Sequence, residues 1–290
     1  MATGVQINRS NIELSQEVSA EIMQKTQEAS AIMQLARKVA LPGRGMQIPV
    51  IVSDPEAAWV SETGVKPVAR PTLSKKVMQA YKLAVIVPFS DEFRRDIPSL
   101  YGELVRRLPA ALAQKFDATV FGNGTAPGSN FDTFASCTAQ SIAANATYAG
   151  LVAADTDVAV HGGSLNGWVI SHYAKGILLA ETDGDHRPLF INSVAEGAVP
   201  MILGSRTVLS KAAYKAGTPA VVGVAGDWTQ AIYGTVQGVQ VAISNEATLT
   251  DGQNTINLFQ QNMFAVRAEI EVGFVADTSV FNRLTATVGG

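Results

Sequence analysis

An α+β chain with a long central helix is predicted by three features of the sequence: a period-two stretch at 75–89, a helical stripe that follows it directly, and short β-type segments further on. In KKVMQAYKLAVIVPF, Val77, Tyr81, Leu83, Val85, Val87 and Phe89 fall on one face of a strand. Pro88 has no N–H to donate and is expected to end the ladder there. Ser90 then reads as an N-cap, with Asp91 and Glu92 at the positive end of a helix. Phe93, Ile97, Leu100, Tyr101, Leu104, Leu108, Leu112, Phe116, Thr119 and Val120 recur three and four apart, one apolar stripe that stops at Gly122-Asn-Gly124. Pro98 and Pro109 are expected to give a short first turn and then a kink.

The flanking elements follow from the same reasoning. Leu14, Val18, Ile22, Ala29, Met33, Ala36 and Val39 predict one amphipathic helix over 12–39, ending near Pro42-Gly43. Ile48, Val50 and Val52 predict a strand that pairs with 75–88 as a long hairpin. The connection of about twenty residues greatly exceeds the usual hairpin loop. An isolated ribbon of this kind is marginal in water, so it needs something to lie on. Its tip and root carry Glu56, Trp59, Glu62, Lys66, Arg70, Lys75 and Lys76. Residues 125–157 read as loop plus weak helix, and NGWVISHYAKGILLAE at 166–181 as a strand entering a helix. TDGDHRP reads as a turn. Short strands are expected at 199–203, 221–224, 231–233 and 239–243, and a last strand runs through Val266, Ala268, Ile270, Val272, Phe274 and Val275 back to the long helix.

Composition narrows the function classes. The 290 residues are 47% hydrophobic and 16% charged, ample for a core, and the net charge of −3 lacks the basic excess of a sequence-reading nucleic-acid binder. No apolar run reaches the roughly 18 residues of a membrane span, and the N-terminus lacks a signal-type stretch, so assembly in a cytoplasm is expected. Cys137 is the sole cysteine and reads as an inert small side chain. His161, His172 and His186 lack metal-ligand spacing, and the Asp183-Gly184-Asp185-His186 turn has too few carboxylates for a calcium loop. Gly122–Gly128 lacks the lysine of a phosphate-binding loop, and no nucleophile elbow is present. No cofactor and no enzyme activity are expected. Arg94, Arg95, Arg106 and Arg107 lie off the stripe and read as a solvated face.

Several pieces in their order and spacing resemble the major capsid protein family of tailed bacteriophages. They are Ala58-Trp59-Val60-Ser61-Glu62, Lys66-Pro67, Thr72-Leu73-Ser74-Lys75, Val87-Pro88-Phe89-Ser90-Asp91-Glu92, Lys115-Phe116-Asp117 and Gly122-Asn123-Gly124, joined later by Gly226-Asp227-Trp228 and Ala231-Ile232-Tyr233-Gly234. The fold implied is the Hong Kong-phage-type capsid fold, shared with herpesvirus shell proteins and encapsulins. On that resemblance, 1–45 is an N-terminal arm lying across a neighbour, 46–89 an extended hairpin loop, and 90–150 a peripheral domain with a spine helix. Residues 151–255 are an axial domain and 256–290 the return strand. The implied function is a shell of hexamers and pentamers closing into an icosahedral head around double-stranded DNA. Trp59, Glu62, Lys66, Arg70, Lys75 and Lys76 are then intersubunit contacts. The partners implied are further copies, a portal, DNA bound without sequence preference, and a separate scaffolding or decoration protein, with no membrane. An encapsulin shell around protein cargo is the alternative. In some relatives a loop lysine attacks a neighbour's asparagine amide while a glutamate carries the proton. Lys66, Asn262 and Glu269 fit those positions, although Lys-Pro and Asn-Met, as at 66–67 and 262–263 here, also occur in members that do not cross-link.

Overall fold

The computed structural model describes residues 16–43, 45–51, 59, 73–91, 97–143, 147–183, 185, 187, 189–190, 201–252 and 254–287, with side chains described outside 16–22, 47–51, 73–75, 97–106 and 251. The chain begins with α1 (Gln16–Ala29), α2 (Ala31–Leu35), β1 (Arg37–Ala40), β2 (Met46–Ile51), β3 (Leu73–Met78), β4 (Tyr81–Ser90) and α3 (Ile97–Val120). It continues through β5 (Thr138–Ser141), α4 (Thr147–Val160), β6 (Gly167–Ile170), α5 (His172–Ala180), β7 (Met201–Ile202), β8 (Ser205–Leu209) and β9 (Ala220–Gly226). Then come β10 (Ala231–Thr235), β11 (Gln240–Ser244), β12 (Thr248–Asp251), β13 (Asn254–Asn257), β14 (Met263–Ala276) and β15 (Phe281–Ala286).

Two sheets organise these elements. In the first, the 14-residue β14 takes β4 along one edge and β10 and β11 along the other, and β1 adds in parallel outside β10. The second runs β5-β15-β9-β6-β8-β7. α3 lays Leu108, Leu112, Phe116 and Val120 into a core shared with Phe131, Phe134, Phe274 and Phe281. α4 and α5 cover the second sheet, enclosing Leu151, Ala154, Trp168, Ala174 and Leu178. Burying each large apolar side chain contributes about 1.5–3 kcal/mol, so these two clusters set the layers. α3 ends as expected: Gly122 has φ +79°, its N–H donates to Thr119 O, and Asn123 N–H donates to Ala118 O, the paired bonds of a Schellman cap.

Several expectations are corrected. Pro88 does not end β4: it pairs opposite Ala265 and the strand runs to Ser90, because β4 is an edge strand where a missing donor costs little. Ser90 is therefore a strand residue rather than an N-cap, and α3 starts at Ile97 with Pro98 in its first turn, where proline is tolerated. The period-two face holds for Tyr81, Leu83, Val85, Val87 and Phe89, but Val77 is exposed and Met78 buried. Alternation resets at Gln79-Ala80 because β3 pairs with β2 whereas β4 pairs with β14.

The single helix over 12–39 is instead α1, a break at Ser30, α2 and the strand β1. Ser30 caps α2 by accepting from Met33 N–H, and pairing with β10 overrides helix propensity at 37–40. Ala29 faces solvent while Met23 and Thr26 are buried. From Met23 to Ala36 this segment packs on its own chain, in the core with α3. The weak helix expected within 125–157 is a full α4, and β5, β8, β12, β13 and the separate β15 went unanticipated. The two sheets also cut across the sequence segments, since β10 and β11 join β14 while β15 joins β9.

Candidate functional site

Of the candidate contact residues, Trp59 projects fully into solvent at 105% exposure. Glu62, Lys66 and Arg70 lie outside the described residues. Lys75 sits on β3 opposite Pro49. Lys76 turns inward within its own chain: its Nζ donates to Asp132 Oδ2 at 2.9 Å and to Ala276 O at 2.7 Å, and the same Asp132 oxygen accepts from Ala276 N–H at 3.0 Å. That network pins the hairpin root to the end of β14. Its partner Asp132 is 56 positions away, which no local pattern reveals.

Asn262 has φ +51°, a left-handed conformation that asparagine tolerates, and its carbonyl accepts from Asp91 N–H. Glu269 lies seven positions on along β14, with Lys82 Nζ at 3.7 Å and Arg267 Nε at 3.6 Å. At roughly 3.4 Å per residue the two are about 24 Å apart along the strand. One subunit therefore does not bring Asn262 and Glu269 together. Arg107 is exposed on α3, and the side chains of Arg94, Arg95 and Arg106 are outside those described.

Asp117 carries a role that sequence reasoning missed. It is 1% exposed on α3, accepts from Ser30 Oγ at 2.5 Å and Ala31 N–H at 2.8 Å, and stands 3.5 Å from Ile32 N. Burial pushes its carboxyl up to about 6, against the opposing pull of those donors. One spine-helix carboxylate thus holds the first turn of α2. The signal was present: Asp117 falls on the apolar stripe, four positions after the buried Ala113, and a buried carboxylate demands donors.

A second buried carboxylate, Asp227, 6% exposed, accepts from Asn166 Nδ2, Ser164 N–H, Thr229 N–H and Thr229 Oγ. It stands where the chain leaves β9 for β10. Beside it, Trp228 packs edge-on against Phe134 and Phe281 and donates Nε1–H to Gly167 O at 2.9 Å. Gly226 is required here, since a Cβ would collide with the Phe281 ring and Val280 O. Cys137 is buried, with its thiol pushed up to about 12 by burial. Among the described residues no cluster of His, Cys, Asp and Glu could hold a metal, and no helix is long and apolar enough to cross a membrane.

The chain is similar over most of its length to known phage proteins. It is 30% identical over 296 residues to the probable major capsid protein of Mycobacterium phage D29, covering 96% of this chain and 91% of that one. It is 26% identical to the major capsid protein of Staphylococcus phage 80alpha, covering 93% and 84%. Among solved structures, one from Mycobacterium phage Adephagia superposes with a TM-score of 0.73 at 21% identity, covering 90% of this chain and 91% of that chain. The capsid of a native GTA particle gives 0.63 at 17%, covering 90% and 91%. Residues 13–279 match the phage capsid family, and the chain belongs to that family.

Proposed function

We propose that this chain is the major capsid protein of a tailed phage, a structural protein that self-assembles as hexamers and pentamers into an icosahedral head enclosing double-stranded DNA. The observation that supports it most is the match to named major capsid proteins across nearly the whole chain rather than over one motif. The role requires no catalysis. In this reading residues 1–45 act as the arm and 46–89 as the extended loop, with 90–150 and 256–290 as the peripheral domain and 151–255 as the axial domain except that β10 and β11 go with the former and β15 with the latter. The protein resides in the virion after assembly in the host cytoplasm, with a portal and a scaffolding or decoration protein as partners. Ring closure needs heterologous contacts that propagate from copy to copy. The exposed Trp59 end of the hairpin suits such a contact.

Electron microscopy of the purified chain, alone and co-expressed with the products of its neighbouring genes, tests this. Closed shells or capsomer rings are expected. Persistent monomer under both conditions would overturn the proposal, and shells filled with protein cargo would redirect it to an encapsulin. Cross-linking through Lys66 and Asn262 would need the Glu269 carboxylate of a different copy, given the separation along β14. A boiled, reduced gel of assembled shells that shows only monomer would exclude it.

A further inference from the structure

Beside Trp228, where the chain crosses between sheets, lies a cleft of about 470 Å³. Gln34, Leu35 and Arg37 line it from the α2–β1 segment, and Asn166, Arg206 and Trp228 from the opposite side. The Arg37 side chain makes no hydrogen bond or ion pair among the described residues. Arg206 reaches only the Gln34 amide oxygen, at 3.3 Å. Two guanidinium groups therefore share one concavity, and among the described residues no carboxylate pairs with either. The nearby Asp227 bonds neither guanidinium directly, since its oxygens accept from four donors on Ser164, Asn166 and Thr229, and its single charge leaves the pair in excess. In a chain of net charge −3 this is a local positive excess. Its donors suit an oxyanion, since guanidinium forks bind carboxylates and phosphates with charge-assisted bonds.

Which oxyanion is decided by the rest of the lining. A duplex presents a long row of phosphates, one about every 3.4 Å per strand, and is met by an extended row of cations. This cleft offers two cations at one point, with Leu35 and Trp228 between them. An apolar wall flanked by cations suits a side chain with a carboxylate end on a neighbouring apolar residue. β1 supplies a further feature: among the described residues it is the outer strand of its sheet, paired to β10 on one side only, and Arg37 is its first residue. An extended segment can add to that free edge by main-chain bonds while its side chains enter the cleft.

We infer that this cleft is a docking site for an acidic protein segment, with a carboxylate held between Arg37 and Arg206 and an apolar side chain against Leu35 and Trp228. Binding would tie the α2–β1 segment to both sheets. The inference stands on the cleft and not on the shell proposal, and its assay reads binding rather than assembly.

Fluorescence polarisation with a labelled peptide of alternating Glu and Leu, on the intact chain at low salt and at about 0.15 M, tests it. Controls are the Gln-for-Glu peptide, the Lys-for-Glu peptide and a short labelled DNA duplex. The glutamate peptide should bind at least about tenfold more tightly than the glutamine peptide, and Arg37→Ala or Arg206→Ala should each weaken it by about tenfold, the scale of one charge-assisted bond. Arg37→Glu with Arg206→Glu should lose the glutamate peptide and take up the lysine one, which also demonstrates a folded cleft. No binding of the glutamate peptide, equal binding of the glutamine peptide, unchanged affinity in the alanine variants, or tighter binding of the duplex would each overturn the assignment.

Discussion

The chain passes between its two sheets three times, first from β4 through α3 to β5, and the two later crossings, from β9 to β10 and back from β14 to β15, use the same device with different weight. Each is a 3-10 turn opened by an aspartate. Asp227 accepts from Thr229 N–H and Oγ, and Asp277 accepts from Ser279 N–H and Oγ. The two turns also bond each other, Asp227 N–H to Val280 O and Asp277 N–H to Gln230 O. There the likeness ends. Asp227 is buried and binds Ser164 and Asn166 from a third segment, and the next residue is the core Trp228. Asp277 is half-buried with donors only in its own turn, and it is followed by the part-exposed Thr278. A local capping motif is worth what its distant partners add.

The largest contrast lies in the residue after each aspartate. Trp228→Ala should cost about 3–5 kcal/mol in chemical denaturation, the range for a buried aromatic, whereas Thr278→Ala should stay within about 0.5 kcal/mol. Trp228→Phe keeps the ring contacts but leaves Gly167 O without its donor, and should cost about 1–3 kcal/mol. Similar losses for the alanine pair would mean that the crossings are equivalent and that the aromatic cluster contributes little.

A third aspartate, Asp117, sharpens the comparison, because its donors come from α2, far away in sequence, and it is almost fully buried. Its folded carboxyl is raised from 3.8 to about 6 by burial. Between those values the folded state holds a proton that the unfolded state has released. The contribution is thus fully present below about 3.8 and is lost as pH rises through about 6. A shift of this size corresponds to about 3 kcal/mol. The stability of the wild type relative to Asp117→Asn should therefore fall by that order between pH 4 and pH 7. A difference that stays constant with pH would show that the donors from Ser30 and Ala31 offset the burial completely.

The aspartates at the crossings come next. Asp227→Ala strips partners from Asn166 Nδ2 and Ser164 N–H as well as from its own turn, and should cost about 2–3 kcal/mol. Asp277→Ala loses a cap alone, about 1 kcal/mol. Equal costs would remove the distinction drawn between the two turns.

How far the sequence could be read follows the same line between local and distant partners. The face of β4, the end of α3 at Gly122 and the strand-to-helix step from β6 to α5 were legible because period, cap and turn residues act over a few positions. The break at Ser30 and the strand β1 were not, since they depend on Asp117 and on β10. Pro88 misled for a related reason: whether a proline ends a strand depends on whether that strand is an edge, which is a property of the sheet. The family resemblance rested on short pieces in order, and their order survives in the fold. The candidate residues fared less evenly. Lys76, expected to contact a neighbour, is held by Asp132 and Ala276, while Asp117 and Asp227 lay inside quoted motifs with no role given them.

Lys76 offers the smallest expected effect and the last test of the contrast. Its side chain is 37% exposed and that of Asp132 28%, so solvent screens the pair, and Lys76→Ala should lower global stability by less than about 1 kcal/mol. The bond nevertheless sits at the root of β3, where the strand leaves the main sheet to pair only with β2. A two-stranded ribbon has little stability of its own. Losing its anchor should therefore appear as faster amide exchange in β2 and β3, with β14 unchanged. Faster exchange spread equally through β14 would place the anchor in the cooperative core with Asp227, and the hairpin would then open only when the whole sheet does.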